Sequence, residues 1–440
     1  MRALLVISLL VAVVGALTSQ RLTPTRQNEG KIWALLIAGS NSWWNYRHQA
    51  DICHAFHVLK NHGVQEENII TMMYDDIANN PENPYPGKIF NRPNGPDVYE
   101  GVKIDYKGKD VTPENFLAVL QGQEEEIHGG NGRVLNTTSD DKIFVYFSDH
   151  GAPGSIAFPD DVLTVKQLNQ ALKSMHSQKR FGQLVFYLEA CESGSMFEKV
   201  LPKNIDVYAL TAANSRESSW GCYCGTSSKL STCLGDLFSV NWLEDSDAEN
   251  LHTETLERQF EIVKQKTNQS HVQKYGNLDI TNEPVADFQG EQDAPSKDRG
   301  NVNNYELWPS RDIPIKTLEV KLRFMNDKDE ERKIVKQLAR IQHKREYLRN
   351  HTESLVRKLI HDTNIRRMIM TKETGPITKL DCHHNVLHAY NRICFNLGTS
   401  PYATSYVKVL ANLCEYGLSS ERILHTMMDH CLDIKHKNIL

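Results

Sequence analysis

Uninterrupted apolar runs alternate with segments of helical periodicity through the first two thirds of this chain. Apolar runs that stop at small or polar residues are typical of strands buried on both faces of a parallel sheet. Between them, apolar residues recur every three to four positions, as in amphipathic helices. The pattern predicts an α/β domain with a mostly parallel sheet and right-handed crossovers. Strands are predicted over 32–39, 69–74 and 206–211 and within 142–151 and 183–191, and helices over 49–62, around 116–120 and over 165–175.

Changes in composition divide the chain further. Residues 79–113 are rich in Pro, Gly and Asn and predict a long surface excursion. The polar stretch that starts at residue 288 carries Pro and Gly, which is typical of a linker. Helical spacing resumes at about residue 329, with Ile334, Leu338, Ile341, Leu348, Leu355 and Leu359. We therefore expect an α/β domain over 31–287, a linker over 288–326 and an all-helical region over 327–440.

The N-terminus predicts entry into the secretory pathway. Arg2 precedes an apolar run that is too short to cross a bilayer and ends in the small-x-small pattern of Val14 and Ala16. We interpret 1–17 as a signal peptide and 18–30 as a short propeptide, with a retained anchor as the alternative. The expected destination is a lysosomal or endosomal compartment or the cell exterior. Sequons for N-glycosylation at Asn136, Asn268 and Asn350 fit this route.

Charge is shared unevenly between the predicted domains. From Asp327 onward there are 19 Lys and Arg against 13 Asp and Glu, a net charge of +6. The whole chain carries −5, so the first 326 residues carry −11. Opposite charges predict that the two parts dock on each other, although unrelated surface charge is an alternative. A pI of about 6.4 gives no reason to expect nucleic-acid binding.

Two strand ends carry reactive side chains. One apolar run ends at Cys191 and the other at His150, and open α/β sheets place active sites at this edge. A cysteine with a histidine is the minimum for a thiol nucleophile and its acid/base partner. The alternatives are a small core cysteine and a loop histidine. Glu192, Ser193 and Gly194 are poor core residues, so they favour an exposed thiol at a turn.

Cofactor and metal chemistry have little support in the sequence. There is no HExxH motif, and Cys222-x-Cys224 is tighter than structural zinc sites require. We therefore expect neither a cofactor nor a metal. Nine cysteines in an oxidising compartment predict disulfide bonds with at least one free thiol, for which Cys191 is the candidate.

Several motifs resemble the legumain family, asparaginyl cysteine endopeptidases with a caspase-like fold. They are 45–51 (NYRHQAD), 148–151 (SDHG), 189–195 (EACESGS), 211–219 (TAANSRESS) and 234–236 (LGD). The similarity covers essentially everything after the signal peptide. It implies that 288–326 is an activation peptide, that 327–440 is an inhibitory prodomain, and that disulfides join Cys382 with Cys414 and Cys394 with Cys431. Relatives also suggest Cys224 with Cys233, which leaves Cys53 and Cys222 unassigned.

The resemblance also implies roles for individual residues. Cys191 matches the nucleophile, His150 the general acid/base and Asn45 the residue that supports it. Gly151 and the Cys191 backbone N–H match an oxyanion hole. The substrate pocket would be formed by Arg47, His48, Glu189, Ser218 and Asp236.

This pocket suits an asparagine side chain. A primary amide offers two N–H donors and one acceptor, which match two carboxylates and one guanidinium. Such a site can reject an analogue without these groups by roughly 10⁴-fold. Aspartate fits when protonated, so its cleavage should grow as pH falls. The alternative is an ordinary ion-pair network of Arg47, Glu189 and Asp236.

We therefore expect a protease that cuts proteins and peptides after asparagine, made as an acid-activated zymogen and inhibited by its own prodomain. Asn326, before an acidic run, is the expected processing site, with Asn301, Asn303 and Asn304 as alternatives. Cystatin-type inhibitors are further expected partners. A membrane-bound transamidase would need a C-terminal membrane segment, which the sequence lacks, and an inactive binding protein would not need Cys191 and His150. Peptide ligation by the same acyl-enzyme stays open, since it depends on water access.

Overall fold

A six-stranded sheet forms the centre of the molecule. The computed structural model describes residues 30–226, 230–297, 300 and 302–432. Sheet order is β11-β8-β7-β3-β1-β2, and every strand is parallel to its neighbours except the edge strand β11. These strands are β1 (Ile32–Ala38), β2 (Ile69–Met72), β3 (Lys142–Ser148), β7 (Gln183–Glu189), β8 (Val207–Thr211) and β11 (Gln273–Gly276). The predicted α/β fold with a mostly parallel sheet is confirmed.

Helices cover both faces of this sheet because its strands are apolar on both. Alternate residues of β1, such as Leu35 and Leu36, enter two different hydrophobic cores. One core is formed with α1, α4 and α5, where Trp242 packs edge-on against Tyr146 at 4.9 Å between ring centroids. The other is formed with α2 and α3. These helices are α1 (Tyr46–Asn61), α2 (Pro113–Gln121), α3 (Val165–Ser177), α4 (Leu237–Ala248), α5 (Leu256–Lys266) and α6 (Ala286–Gln289).

The structure also contains two small antiparallel sheets that were not predicted. One is β4 (Gly151–Ala152), β5 (Ser155–Ala157) and β6 (Val162–Thr164), and the other is β9 (Trp220–Cys224), β10 (Cys233–Asp236) and β12 (Glu306–Pro309). Their strands are too short to show a periodic pattern. The first sheet begins immediately after His150, and β10 ends at Asp236, so both sheets place residues of the predicted site.

The predicted linker contains regular structure. Strand β12 pairs with β9, and helix α7 (Ile313–Arg323) follows, with Pro314 in its first turn. Trp308, Ile313 and Val320 pack against the Cys224–Cys233 disulfide. The segment predicted as a linker over 288–326 thus contains a strand and a helix within 306–323, where a few apolar residues anchor it to the α/β domain.

The C-terminal region is all-helical, as predicted. Asp327 caps its first helix by accepting from Asp329 N (2.7 Å) and Glu330 N (3.3 Å). Disulfides Cys382–Cys414 and Cys394–Cys431 link the later helices. No helix in the described part of the chain is long and apolar enough to cross a membrane. The helices are α8 (Lys328–Leu359), α9 (Thr363–Thr371), α10 (Leu380–Ala389), α11 (Val407–Glu415) and α12 (Ser420–Cys431), with a π-helical turn at Tyr390–Cys394.

This helical region packs on the α/β domain beside β4–β6. Ala152 and Val162 belong to its hydrophobic core, and Ile377 lies in a core of the α/β domain. Helix α10 contributes polar contacts: His383 Nε2 lies 2.9 Å from the Pro153 carbonyl oxygen, and Lys166 pairs with Asp381 at 2.7 Å. The expected docking of the two parts therefore rests on apolar contacts and neutral hydrogen bonds as well as on charge.

Candidate active site

Parallel register brings the two predicted reactive residues to one edge of the sheet. Ser148 on β3 pairs with Glu189 on β7, and His150 and Cys191 each follow two residues later. The two loops touch, since a Cβ on Gly151 would lie 2.2 Å from the Cys191 carbonyl oxygen. Only glycine fits this contact. The paired strands thus bring the two loops that carry His150 and Cys191 together at one edge of the sheet.

Cys191 is a free thiol in a buried setting. Its Sγ lies 3.2 Å from Ser218 Oγ and 3.7 Å from Ser219 Oγ, and only 1% of the residue is exposed. The prediction of an exposed thiol is wrong for this form of the protein. Ser218 and Ser219 lie next to the sulfur. Arg311, from the predicted linker, donates a hydrogen bond to the nearby Gly151 carbonyl oxygen. The next residue, Glu192, has a φ of 49°, so the turn holds a non-glycine residue in the left-handed region.

His150 is oriented by Asn45. Asn45 Nδ2 donates to the Asn41 carbonyl (2.9 Å), so its Oδ1 faces His150 Nε2 at 2.8 Å and accepts from it. The proton is thereby assigned to Nε2 and the lone pair to Nδ1, which is buried without a hydrogen-bond partner in the described residues. Burial lowers the pKa of His150 well below its usual range, and Arg47 and Arg311 lower it further. The imidazole is therefore neutral and its Nδ1 is available as a base.

Four of the predicted pocket residues come together behind this pair. Arg47 on α1 donates through Nε to Asp236 Oδ1 at 2.8 Å. His48 Nε2 lies 3.5 Å from Asp236 Oδ2. Glu189 Oε2 accepts from Ser239 N (3.1 Å) and Ser239 Oγ (2.9 Å). Ser218, the fifth predicted residue, lies at the thiol instead. The arrangement offers both donors and acceptors to a neutral polar side chain.

Burial raises the pKa of both pocket carboxyl groups. For Glu189 the neighbouring Asp236 raises it further, whereas for Asp236 the guanidinium of Arg47 opposes the rise. Burial also lowers the pKa of His48, so this histidine is neutral. The ion pair within the pocket joins Arg47 Nε and Asp236 Oδ1 at 2.8 Å.

Residues from the predicted linker and helical region close the site. Arg311 donates to both Glu192 carboxylate oxygens (3.0 and 2.6 Å), to the Gly151 carbonyl (2.8 Å) and to Thr404 Oγ1 (2.9 Å). Arg47 Nη2 donates to Ser310 Oγ at 2.6 Å, so linker atoms also contact the pocket. Arg345 of α8 pairs with Asp312 at 2.7 Å and lies over Tyr402. Asn45 and His150 thus line a cavity with residues of all three segments.

Sequence reasoning missed Ser310, Arg311, Ser219 and Asp51. Arg311 and Glu192 are 119 residues apart, so no local pattern connects them. Asp51 did carry a signal, because it is an acidic residue between Ala50 and Ile52 on a helix that is otherwise largely buried.

Two groups in the described residues have the spacing of metal ligands. His351, Cys394 and Cys431 form one, but both cysteines are committed to a disulfide. His48, Asp149 and His150 form the other. A metal ion bound by these three residues would use the lone pair of His150. His150 could then not accept the proton of the Cys191 thiol, so thiol chemistry requires that no metal is bound there.

The other predicted sites lie on the surface. The sequon residues Asn136, Asn268 and Asn350 are exposed, as is Asn326 between α7 and α8. Asn304 is exposed as well, whereas Asn301 and the signal-peptide and propeptide residues 1–29 lie outside the described residues.

Comparisons with known proteins agree with this geometry. The peptidase C13 family model matches residues 32–291, and the legumain prodomain model matches 336–431. Legumain from Rattus norvegicus is 46% identical over 92% of this chain and 94% of its own length. Hemoglobinase from Schistosoma mansoni is 42% identical over 94% and 95%, and the vacuolar-processing enzyme delta-isozyme from Arabidopsis thaliana is 39% identical over 92% and 91%.

The structural comparison is more distant. The crystal structure of caspase-1 from Spodoptera frugiperda matches with a TM-score of 0.36 and 11% identity, over 61% of this chain and 92% of that chain, which is too remote to bear on the site. The two family models cover both functional parts of the sequence. The chain therefore belongs to the peptidase C13 family and is an asparaginyl cysteine endopeptidase made as a zymogen with a legumain prodomain.

Proposed function

We propose that Cys191, His150 and Asn45 carry out the peptide hydrolysis of this enzyme. The observation that carries the assignment is the Asn45–His150 hydrogen bond at the strand end beside a free thiol. His150 Nδ1 takes the thiol proton as Cys191 Sγ bonds to the substrate carbonyl carbon. His150 then gives this proton to the leaving amine as the C–N bond breaks. Water, deprotonated by His150, cleaves the thioester and restores the thiol.

The Gly151 and Cys191 backbone N–H groups are proposed to stabilise the oxyanion of both steps. The close approach of Gly151 to the Cys191 backbone supports this role, since it brings both residues to the side of the nucleophile where an oxyanion would form. An amine that replaces water at the thioester would yield ligation instead. That activity stays a prediction.

The substrate asparagine is proposed to enter the pocket of Arg47, His48, Glu189, Ser218 and Asp236. Glu189 Oε1 is buried and makes no hydrogen bond among the described residues, so it can accept from the substrate amide. Arg47 Nη2, which contacts Ser310 in the precursor, would be released to donate to the amide oxygen. Glu189 would thus recognise the NH₂ group of the substrate amide, and Arg47 its oxygen.

The pocket is tested by replacing Arg47 or Asp236 with alanine in activated enzyme. We expect kcat/KM on an Ala-Ala-Asn fluorogenic peptide to fall by roughly 10²-fold or more, because a buried charge-assisted contact is lost. Alkylation of Cys191 by iodoacetamide should change by less than about threefold. Arg258→Ala, at an exposed position on α5, is the matched control. Equal loss of both rates would contradict the pocket, and wild-type preference for Ala-Ala-Lys over Ala-Ala-Asn would contradict the asparagine assignment.

The prodomain inhibits the enzyme within the same molecule, and we propose that acid weakens its docking. His383 and His384 face the α/β domain, and burial lowers the pKa of each to about 4. In a released prodomain both would titrate near their ordinary value of about 6.5. Protons then bind the released form more tightly, so docking is strongest above pH 6.5 and weakens as pH falls toward 4.

This pH dependence is measurable on the Cys191→Ala precursor. Its thermal midpoint should fall between pH 7 and 4.5, and His383→Gln should lessen the fall because it removes a contribution on the order of 2 kcal/mol. The introduced glutamine amide can still donate to the Pro153 carbonyl. His252→Gln, at an exposed site, serves as the control. Identical pH profiles for all three proteins would rule out His383 as a sensor.

We further propose passage through the secretory pathway to a lysosomal, endosomal or extracellular destination. Three exposed sequons and three disulfides support that route. Cystatin-type inhibitors stay a predicted class of partner, and they would compete for the cleft that the prodomain covers.

A further inference from the structure

We propose that Asp51 is a positioning residue that sets the preference for asparagine over aspartate and its dependence on pH. This inference rests on the proposed pocket. Cleavage after aspartate at low pH would then depend on protonation of an enzyme carboxyl group as well as on protonation of the substrate aspartate.

Asp51 lies directly behind the pocket and is fully buried on α1, one turn after Arg47. Its oxygens are within 3.3 to 3.4 Å of the backbone nitrogen of Asp236. Oδ2 also lies 3.3 Å from Ser148 Oγ, at the end of the strand that delivers His150. Asp51 therefore connects the pocket acid with the catalytic strand.

The loop of residues 79–113 completes this arrangement. Asn91 Nδ2 donates to Asp51 Oδ1 at 2.8 Å and to the Leu234 carbonyl at 3.1 Å. Close packing leaves no room for adjustment, since a Cβ on Gly235 would lie 2.9 Å from Asn91 Nδ2 and 3.1 Å from Asp51 Oδ1. A change of charge at Asp51 is thus transmitted directly to Asp236.

Four buried carboxyl groups surround one guanidinium here: Asp51, Asp149, Glu189 and Asp236. Asp149 lies 3.2 Å from His48, and burial raises its pKa. Arg47 pairs with Asp236, while Asp51 and Glu189 make no ion pair among the described residues. Burial, followed by the negative charge of Asp236, raises the pKa of Asp51, and the hydrogen bond from Asn91 opposes that rise. The other titratable groups that face Asp51 are Cys53, Tyr146 and Cys222, which burial keeps neutral.

The charge of Asp51 should therefore decide which substrate is accepted. With Asp51 ionised, the pocket holds excess negative charge and repels an aspartate side chain, whereas a neutral asparagine is indifferent to it. With Asp51 protonated, the Arg47–Asp236 pair leaves the pocket near neutrality. The pH at which aspartate becomes acceptable thus depends on the enzyme as well as on the peptide.

The test uses Asp51→Asn in activated enzyme, since asparagine keeps the shape and removes the charge. The measured quantity is kcat/KM on Ala-Ala-Asp divided by that on Ala-Ala-Asn from pH 4.5 to 7. We expect this ratio to rise at least about tenfold at pH 6.5 to 7 and to vary less with pH, because the variant removes the charge that repels an aspartate side chain. Asp279→Asn, at an exposed site, should match wild type.

A second variant covers the case in which Asp51→Asn does not fold. Asn91→Ala removes the donor that favours ionised Asp51, so the ratio should begin its rise at a higher pH than in wild type. An unchanged ratio, an equal loss on both peptides, or unfolding of both variants would each overturn the inference while leaving wild-type cleavage of Ala-Ala-Asn intact. Absence of that wild-type activity would instead overturn the proposed function, and this inference with it.

Discussion

Replacement of Cys191 by alanine in activated enzyme should reduce kcat on an Ala-Ala-Asn peptide by at least about 10³-fold while the fold persists. Among the described residues, Cys191 is the free cysteine that follows strand β7, and it pairs with no other cysteine. Its Sγ lies near the hydroxyl groups of Ser218 and Ser219, and the change to alanine removes a single heavy atom. His150→Ala should cause a similar loss, because the thiol then has no proton acceptor.

Cys53→Ala is the matched control, since this free cysteine is buried against Met73 and is not part of the proposed catalytic group of Cys191, His150 and Asn45. Far-UV circular dichroism and the thermal midpoint should show that each variant is folded. Substantial turnover by folded Cys191→Ala would place the nucleophile elsewhere.

The intact precursor should have less than about 1% of the activity of processed enzyme at neutral pH. Access to the site requires breaking four hydrogen bonds of Arg311 and the Arg47–Ser310 contact, and partially buried charge-assisted bonds of this kind are worth about 1.5 to 3 kcal/mol each. Acid treatment should yield a cut after Asn326. This residue is exposed, and Asp327 after it begins α8, so the bond lies in the irregular connection between two helices.

The cut is identified by incubating the Cys191→Ala precursor at acid pH with a trace of active enzyme and sequencing the new C-terminus by mass spectrometry. Asn326→Gln should slow this cut by at least about tenfold, whereas Asn304→Gln should not. Cleavage after a residue other than asparagine or aspartate would contradict self-processing. Full activity of uncut precursor at neutral pH would contradict latency.

The strand-end residues were predictable because a buried parallel strand leaves a strong local signal. The predicted runs match β1, β2, β3, β7 and β8, and the two reactive residues follow the strands that pair side by side. Helix α1 begins three residues earlier than predicted, at Tyr46, because Tyr46 is buried in the hydrophobic core and Arg47 in the pocket. Local periodicity thus located the chemistry even where it misplaced a boundary.

The regular structure within 288–326 was harder to predict, because it depends on a partner surface. The apolar residues that pack this segment against the α/β domain are irregularly spaced, so they produce no periodic signal. They are Val302, Tyr305, Leu307, Trp308, Ile313 and Val320. The opposite net charges of the two parts of the chain also gave an incomplete account of how they dock. Arg311, a linker residue, makes the decisive ion pair with Glu192, and histidines of α10 make neutral contacts.

The sequence by itself determined the mostly parallel sheet and the helical C-terminal region, and it supplied the proposed thiol and base, because these follow from local apolar periodicity and from residue types at strand ends. Only the tertiary structure decided the long-range polar contacts around the pocket and the thiol. Asp51 meets Asp236 across 185 residues, and Arg311 meets Glu192 across 119. Such polar contacts depend on which surfaces pack together, and hydrogen bonding between distant residues leaves no periodic trace in the chain.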